Sequence, residues 1–184
     1  MTDAKDMLYL LEEPPVATIV LHRPSKRNAF TYEMWERLPQ LLLEAEKNPA
    51  LRVIGLRSSE SEAFSAGADI SEFKIRRLHP ADVEHYDAVT AKAGAALANA
   101  ELPTIAMISG YCMGGGCDIA VACDIRLCDT HAQFGVTPAR LGVVYPAGAM
   151  KRLVDLVGIG TAKYLVFSGQ MIGASEAERT GLVS

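Results

Sequence analysis

The segment "PTIAMISGYCMGGGCD", residues 103–118, constrains the fold more than any other part of the chain. An apolar run that ends in a cluster of glycines is typical of a strand that turns tightly into a helix. The turn itself has three interpretations. It fits a nucleophile elbow with Cys112 as the attacking thiol, it could present bare backbone amides to an anion, or it could be only a tight corner.

Apolar segments and helical stripes alternate along the rest of the chain. Paired strands are predicted in "MLYLLEE" and "VATIVLHRP", and further strands in "LRVIGLRSS", "TIAMISG" and "IRLCD". Strands that alternate with helices predict an α/β fold. Helices are predicted over 31–47, with a kink or a restart at Pro39, over 81–100, directly after the glycine cluster, and over 146–158, 160–168 and 174–180.

The composition excludes several classes of function. With 184 residues, 49% of them hydrophobic and 22% charged, the chain predicts a single globular domain. The net charge of -4 gives no reason to expect a nucleic acid partner, and no apolar stretch reaches the roughly 18 residues that a membrane helix needs. The N-terminus lacks a signal-peptide pattern, so we expect a cytoplasmic location.

Cys112 is the conspicuous nucleophile of the glycine segment, but the pattern offers it few partners. A reactive thiol needs a base and an orienting acid, and His131 is the one histidine that follows it in the chain. The four cysteines, Cys112, Cys117, Cys123 and Cys128, form no C-x-x-C pair and have no histidine partners of zinc type. We therefore predict buried free thiols and no metal site, with a cysteine hydrolase as the less favoured alternative.

A second loop of small residues, "AFSAGADI" at 63–70, complements the glycine cluster. Two such loops, each offering one backbone N–H, are what an oxyanion hole needs, because fixed amides stabilise the charge that develops on a carbonyl oxygen. Gly115 would also stand at a helix N-terminus, where unpaired amides and the helix dipole attract negative charge.

The chain resembles the crotonase family of enoyl-CoA hydratases and isomerases over essentially its whole length. The resemblance rests on five ordered stretches: "VATIVLHRPSKRNAF", "FSAGADISEF", "PTIAMISGYCMGGGCDIAVACDIRLC", "AQFGVTPARLGVVYPAGAMKRL" and "SGQMIGASEAERTGLVS". It implies a spiral of ββα units and a homotrimer or a dimer of trimers. It also implies an acyl-CoA thioester substrate, with coenzyme A entering as part of the substrate and no separate cofactor.

Several residues take a role by position in this resemblance. The two oxyanion amides belong to Ala68 and Gly115. Lys26 and Arg27, in a basic loop, would face the phosphates of coenzyme A, although solvated surface charge explains the same pattern. The residues that would border the adenine are Ala66, Asp69 and Ile70.

The resemblance covers residues 1–184 as the family's core domain. The family's C-terminal helices, which cap the site and build the trimer, have no counterpart in the sequence. The final residues "GLVS" are typical of the entry to another element. We therefore expect a C-terminal segment to be missing from this chain.

Two positions depart from the pattern of the family's hydratases, which use a pair of glutamates. The first position holds Asp118, three residues after Gly115. It is the acid/base candidate, although an aspartate there could merely stabilise the first helical turn. The second position holds Pro138, which has no ionisable group, so hydration or isomerisation that needs two carboxylates is in doubt.

Tyr145 offers a different chemistry at the wall of the same site. The run "TPARLGVVY" resembles that of methylmalonyl-CoA-type decarboxylases, which implies a tyrosine near the acyl group, although a packing role is the alternative. Arg140 is a further candidate for binding a substrate carboxylate. We expect an enoyl-CoA hydratase/isomerase-like lyase of fatty acid metabolism, with an acyl-CoA decarboxylase or a catalytically silent CoA-binding subunit as alternatives.

Overall fold

Two β-sheets form the framework of residues 4–184, which is the part of the chain that the computed structural model describes. The larger sheet contains β1 (Leu8–Glu13), β2 (Val16–Leu21), β3 (Val53–Ser58), β5 (Thr104–Ile108) and β7 (Ile125–Cys128), in the order β1-β2-β3-β5-β7. The smaller sheet contains β4 (Ala63–Ser65), β6 (Tyr111–Met113), β8 (Gln133–Gly135) and β9 (Met171–Gly173), in the order β4-β6-β8-β9.

Eight α-helices within residues 4–184 connect these strands. Two short 3₁₀ turns, Pro24–Lys26 and Ile70–Glu72, lie in the loops after β2 and β4. The helices are α1 (Ala4–Met7), α2 (Tyr32–Glu46), α3 (Phe73–Arg76), α4 (Pro80–Ala98), α5 (Gly115–Ala122), α6 (Pro138–Leu141), α7 (Ala147–Ser168) and α8 (Ala174–Arg179).

The chain moves between the two sheets in a repeating ββα order. Strand β3 of the larger sheet leads to β4 of the smaller sheet and then to α3 and α4. In the same way β5 leads to β6 and α5, and β7 leads to β8, α6 and α7. Neighbouring strands of successive units pair in parallel in both sheets. The predicted α/β fold, a spiral of ββα units, is confirmed.

Of the kink or restart predicted at Pro39, the restart does not occur. Helix α2 continues through Pro39 without restarting. A proline removes the hydrogen bond of its own amide, but Pro39 is buried, together with the apolar stripe of Met34, Leu38 and Leu41. Packing of this face against the core holds the helix together.

Two further regions show what the sequence pattern could and could not indicate. Gly158 has φ 74° and ψ 159° inside α7, so the predicted division between 158 and 160 lies at the right place.

The four strands of the smaller sheet were not predicted, because each has three residues and a run that short carries no period-2 signal. No helix in the described part of the chain is long and apolar enough to cross a membrane.

Asn28 ties the loop after β2 to strand β4. It is 1% exposed and adopts a left-handed backbone with φ 53°, a conformation that asparagine tolerates better than most residues. Its side-chain amide donates to Ser58 Oγ at 2.7 Å and to the carbonyls of Ala63 and Phe64 at 3.0 and 3.1 Å. In return, Ser65 Oγ donates to the Asn28 carbonyl at 2.8 Å. These bonds fix the start of the loop that follows β4.

We expect Asn28→Ala to lower the free energy of unfolding by about 2–4 kcal/mol, because it leaves the carbonyls of Ala63 and Phe64 without the side-chain amide that donates to them. Urea denaturation measures the change. Asn99→Ala, which removes an exposed amide at the end of α4, is the matched control and should change the stability by no more than about 0.5 kcal/mol. Equal stability of Asn28→Ala and the wild type would contradict this role.

Candidate active site

Two loops meet at one end of the smaller sheet. Strands β4 and β6 are parallel neighbours, so the loops that follow their carboxyl ends emerge side by side, the usual place for a ligand site in α/β proteins. A Cβ atom built on Gly115 would lie 3.4 Å from the Ala68 nitrogen, and one built on Gly67 would lie 2.8 Å from the Gly115 nitrogen. The amides of Ala68 and Gly115 are therefore close neighbours.

Neither of these two amides is used by the fold. Within residues 4–184, the N–H groups of Ala68 and Gly115 donate no hydrogen bond, whereas the flanking amides of Gly67, Asp69 and Gly114 all have acceptors. Gly115 is also the first residue of α5, so the helix dipole adds positive potential there. Two free, fixed donors beside a helix N-terminus are suited to an oxygen that becomes negative.

Close backbone approach explains the glycines of both loops. Gly67 has φ 90°, and a Cβ atom there would lie 2.7 Å from the Met113 carbonyl oxygen. A Cβ atom on Gly115 would lie 3.1 Å from two ring carbons of Trp35. A side chain at Gly67 would push the two loops apart, and one at Gly115 would crowd Trp35, so the donor geometry depends on their absence.

A cleft opens in front of the two amides. Its walls are largely apolar and aromatic, with Trp35, Phe73, Tyr86 and Leu141 among them. The residues that the sequence predicted for the site and that line this cleft are Ala66, Ala68, Ile70, Gly115, Asp118, Pro138 and Tyr145.

Asp118 is the one buried carboxylate of the cleft within the described residues. It lies in the first turn of α5 and is 6% exposed. Its Oδ1 accepts a hydrogen bond from Arg152 Nη2 at 2.7 Å. Burial raises the pKa of Asp118, and the hydrogen bond and charge of Arg152 oppose that rise. Asp118 is therefore a buried acid on which burial and the Arg152 cation act in opposite directions.

Tyr145 lines the same cleft as Asp118. It is 8% exposed and lines the cleft, and among the described residues its hydroxyl has no hydrogen-bond partner. Burial, followed by the charge of Asp118, raises the pKa of the Tyr145 hydroxyl well above its ordinary value. Tyr145 is therefore a neutral donor next to Asp118.

No carboxylate stands at the second glutamate position. Pro138 begins helix α6 there, and its neighbour in the cleft wall is Thr137. Arg140 does not line the cleft; its side chain packs beside Gly169 at the end of α7, with Arg140 Cγ 3.1 Å from where a glycine Cβ would be.

Of the residues predicted to contact coenzyme A, Lys26, Arg27 and Asp69 do not line the cleft. The others do line it: Ala66, Ala68, Ile70 and Gly115. Lys26 is exposed on the 3₁₀ turn after β2. Arg27 pairs with Glu62 at 2.9 Å and lies over the Tyr111 ring. Asp69 binds Arg23 at 2.7 Å and Ser71. Although burial opposes it, the hydrogen bonds from Ser71 and Arg23 lower the pKa of Asp69.

Several cleft residues were not found from the sequence. Arg77 and Asp87 form an ion pair at 2.6 Å at the side of the cleft, and Trp35 packs under Gly115. Trp35 falls next to the apolar stripe of α2, so periodicity could identify it only as a core residue. Arg152 is 34 positions from Asp118 in the chain, and no spacing rule connects them.

Cys112 has no reactive environment. Its thiol is fully buried, and burial raises the pKa of Cys112 well above the ordinary thiol value. Among residues 4–184 no histidine bonds to it, because His131 is exposed and is held through its backbone to Asp129. Cys117 donates from its thiol to the Cys112 carbonyl. The structure therefore disagrees with the cysteine-hydrolase alternative.

The sequence and the fold have close counterparts among known proteins. The family model described as enoyl-CoA hydratase/isomerase matches residues 12–184. A short-chain-enoyl-CoA hydratase of Clostridium acetobutylicum is 35% identical over 177 residues, which are 96% of this chain and 67% of that protein. The chain belongs to the enoyl-CoA hydratase/isomerase family.

Two further relatives match this chain over nearly its whole length. A crotonyl-CoA hydratase of Syntrophomonas wolfei is 31% identical over 181 residues, covering 98% of this chain and 69% of that protein. A solved structure of a family protein from Hyphomonas neptunium superposes with a TM-score of 0.94 at 41% identity, covering 96% of this chain and 68% of the other. The chain thus spans about two thirds of the length of these relatives, and the match supports an enzyme of the lyase type.

We expect Cys112 to resist alkylation in the native protein, because its thiol is buried and protonated at neutral pH. Iodoacetamide at pH 8, followed by peptide mass spectrometry, should find Cys112 unmodified before unfolding and modified in urea. The less buried Cys128 serves as the internal comparison and should react first. Rapid native labelling of Cys112 would contradict this assignment.

Proposed function

We propose that the chain acts on an acyl-CoA thioester and holds the thioester oxygen between the amides of Ala68 and Gly115. The observation that carries this proposal is the pair of free N–H groups that meet at the cleft. When a proton is lost or a nucleophile adds, the thioester oxygen becomes an enolate oxygen. Two fixed donors stabilise that charge without reorganisation.

Asp118 supplies the acid/base chemistry in this proposal. In a hydration, the Asp118 carboxylate takes a proton from water while the water oxygen bonds to the β-carbon. The electrons of the C=C bond then move to the thioester oxygen. In the second step Asp118 returns that proton to the α-carbon, and the enolate electrons restore the carbonyl. Atoms and charge balance with one carboxylate because the same group serves both steps.

Enoyl-CoA hydratase/isomerase-type activity is the main proposal, since the named relatives are hydratases. The departure at Pro138 means that Asp118 must work without a second glutamate. Asp87 also lines the cleft, but it is tied to Arg77 at 2.6 Å, so its carboxylate is already engaged.

Decarboxylation of an acyl-CoA that carries a carboxylate is the second candidate. The observation that favours it is the unpartnered Tyr145 hydroxyl in the cleft wall, which could orient the leaving carboxylate by donating to it. Breaking the C–C bond releases CO2 and leaves its electron pair on the α-carbon, as an enolate that the two amides stabilise. A catalytically silent CoA-binding subunit is the alternative that predicts binding without turnover.

The remaining contacts of the substrate are proposals from the family resemblance. Ala66, Asp69 and Ile70 would border the adenine, and Lys26 and Arg27 would face the phosphates. For Asp69 this means a backbone contact, since its carboxylate is bound by Arg23. The trimeric or hexameric assembly and the cytoplasmic location remain predictions.

We expect the wild-type protein to hydrate crotonyl-CoA and Asp118→Asn to lower kcat by about 10²–10⁴-fold, because the amide cannot accept a proton. Asp155→Asn, which removes an exposed carboxylate of α7 paired with Lys151, is the matched control and should leave kcat unchanged. Product mass is followed by mass spectrometry. Hydration that survives in Asp118→Asn would contradict the role of Asp118.

A parallel incubation with methylmalonyl-CoA separates the alternatives. CO2 release that falls in Tyr145→Phe would favour the decarboxylase over the hydratase. Binding of both CoA esters without turnover would favour the silent subunit.

Gly115→Ala should lower kcat by about 10²–10³-fold, the usual cost of losing one oxyanion donor. The added methyl would lie 3.1 Å from the Trp35 ring and 3.4 Å from the Ala68 nitrogen, so it would occupy space next to both donor amides. Gly160→Ala, where a Cβ atom meets nothing within 4 Å, is the control for a glycine substitution in general. Steady-state kinetics measures both, and unchanged kcat in Gly115→Ala would contradict the donor pair.

A further inference from the structure

The ion pair behind the cleft joins three helices at one point. Asp118 belongs to α5, Arg152 to the start of α7, and Gly94 to α4. Arg152 Nη2 lies 2.7 Å from Asp118 Oδ1, and the guanidinium lies directly against Gly94. Arg152 itself does not line the cleft, whereas Asp118 does. The arginine therefore approaches the carboxylate from the side away from the substrate.

Gly94 is the residue that admits the guanidinium. A Cβ atom at position 94 would lie 2.8 Å from Arg152 Nη2 and 3.4 Å from Asp118 Oδ2. Helix α4 is otherwise rich in alanine around this position, and alanine is favoured over glycine inside a helix. The glycine is thus an exception to helix propensity at a position where a methyl group would force the Arg152 guanidinium to shift.

The two carboxylate oxygens of Asp118 have different surroundings. Oδ1 is bound by Arg152, and within residues 4–184 Oδ2 accepts no hydrogen bond. Tyr145, from the loop before α7, interacts electrostatically with Asp118, and the thiols of Cys117 on α5 and Cys112 on β6 interact with Tyr145. Burial and the charge of Asp118 keep Tyr145 neutral at neutral pH, and Arg152 is the one charged group in contact with Asp118 among the described residues.

We propose that Arg152 is a positioning residue, which holds Asp118 as a carboxylate with Oδ1 fixed and Oδ2 left for the substrate, in a space that Gly94 keeps open. This inference rests on the proposed acid/base role of Asp118. The carboxylate must be charged to take a proton from water, and burial without a cation favours the protonated form. Arg152 therefore acts through Asp118 and not on the substrate.

The first test measures the ionisation of Asp118 directly, with no need for turnover. The carboxyl carbons of aspartate are labelled with ¹³C, and Asp118→Asn identifies the resonance to follow through a pH titration. In Arg152→Met we expect the midpoint of the Asp118 titration to move to higher pH by about 1 to 3 pH units, because the cation that stabilises the charged carboxylate is gone. Lys151→Met removes the neighbouring surface cation and should leave the midpoint unchanged. Coinciding midpoints for Arg152→Met and the wild type would overturn the proposal.

The second test uses kinetics with crotonyl-CoA. Arg152→Met should lower kcat at pH 7 by about 10- to 100-fold, since the carboxylate is misplaced and partly protonated, while KM changes little because Arg152 does not touch the cleft. The acid limb of the kcat profile should move to higher pH in step with the NMR midpoint. In Arg152→Lys the midpoint of the Asp118 titration should return most of the way to its wild-type value, whereas kcat should recover only in part. An unchanged kcat profile in Arg152→Met would overturn the positioning role.

Gly94→Ala keeps both charges and provides the check if Arg152→Met does not fold. Helix propensity alone predicts that it raises the melting temperature; we expect a lower melting temperature and a higher Asp118 midpoint, because the methyl displaces the guanidinium. A stabilised Gly94→Ala with an unchanged midpoint would overturn the proposal. The two proposals can fail separately. If the wild type turns over no CoA ester, the proposed function is wrong. If the Asp118 titration midpoint still depends on Arg152 in that case, the positioning of Asp118 by Arg152 is supported on its own.

Discussion

The parallel pairing of β4 with β6 is the constraint on which the site depends. Each strand has three residues, yet their register decides that the loops after them leave the sheet side by side. Only then do the amides of Ala68 and Gly115 point into the same space. The glycines at 67 and 115 let the two backbones approach closely, and Asn28 holds β4 in place from the neighbouring loop. A short piece of sheet thus orients donors that belong to segments far apart in the chain.

The electrostatics of the cleft follow from burial and from one cation. Asp118 lies at the positive end of α5, where the dipole favours a negative charge, but burial disfavours the same charge. Arg152 offsets this cost by a direct hydrogen bond. Tyr145 remains neutral beside them, because both burial and the Asp118 charge oppose its ionisation. The cleft therefore combines one buried carboxylate, Asp118, with the neutral hydroxyl of Tyr145.

The part of this arrangement that could be predicted from the sequence is the part carried by local patterns. The apolar stripe of α2, the strand before the glycine cluster and the helix after it follow from periodicity and from glycine chemistry. The family resemblance added the positions of Ala68, Gly115, Asp118 and Tyr145. The Arg152–Asp118 pair could not be found, because a contact between residues 34 positions apart depends on how three helices pack. The smaller sheet was missed because three-residue strands take their shape from their neighbours and not from their own sequence.

The central claim is that two backbone amides hold the thioester oxygen, and infrared spectroscopy tests it most directly. A saturated acyl-CoA with a ¹³C-labelled thioester carbonyl is bound to the protein, and the isotope-edited difference spectrum isolates its carbonyl band. Two hydrogen bonds to the oxygen weaken the C=O bond, so the band should move to lower wavenumber on binding and return towards its solution position in Gly115→Ala. A band at the solution wavenumber, with the ligand shown to be bound, would contradict the account.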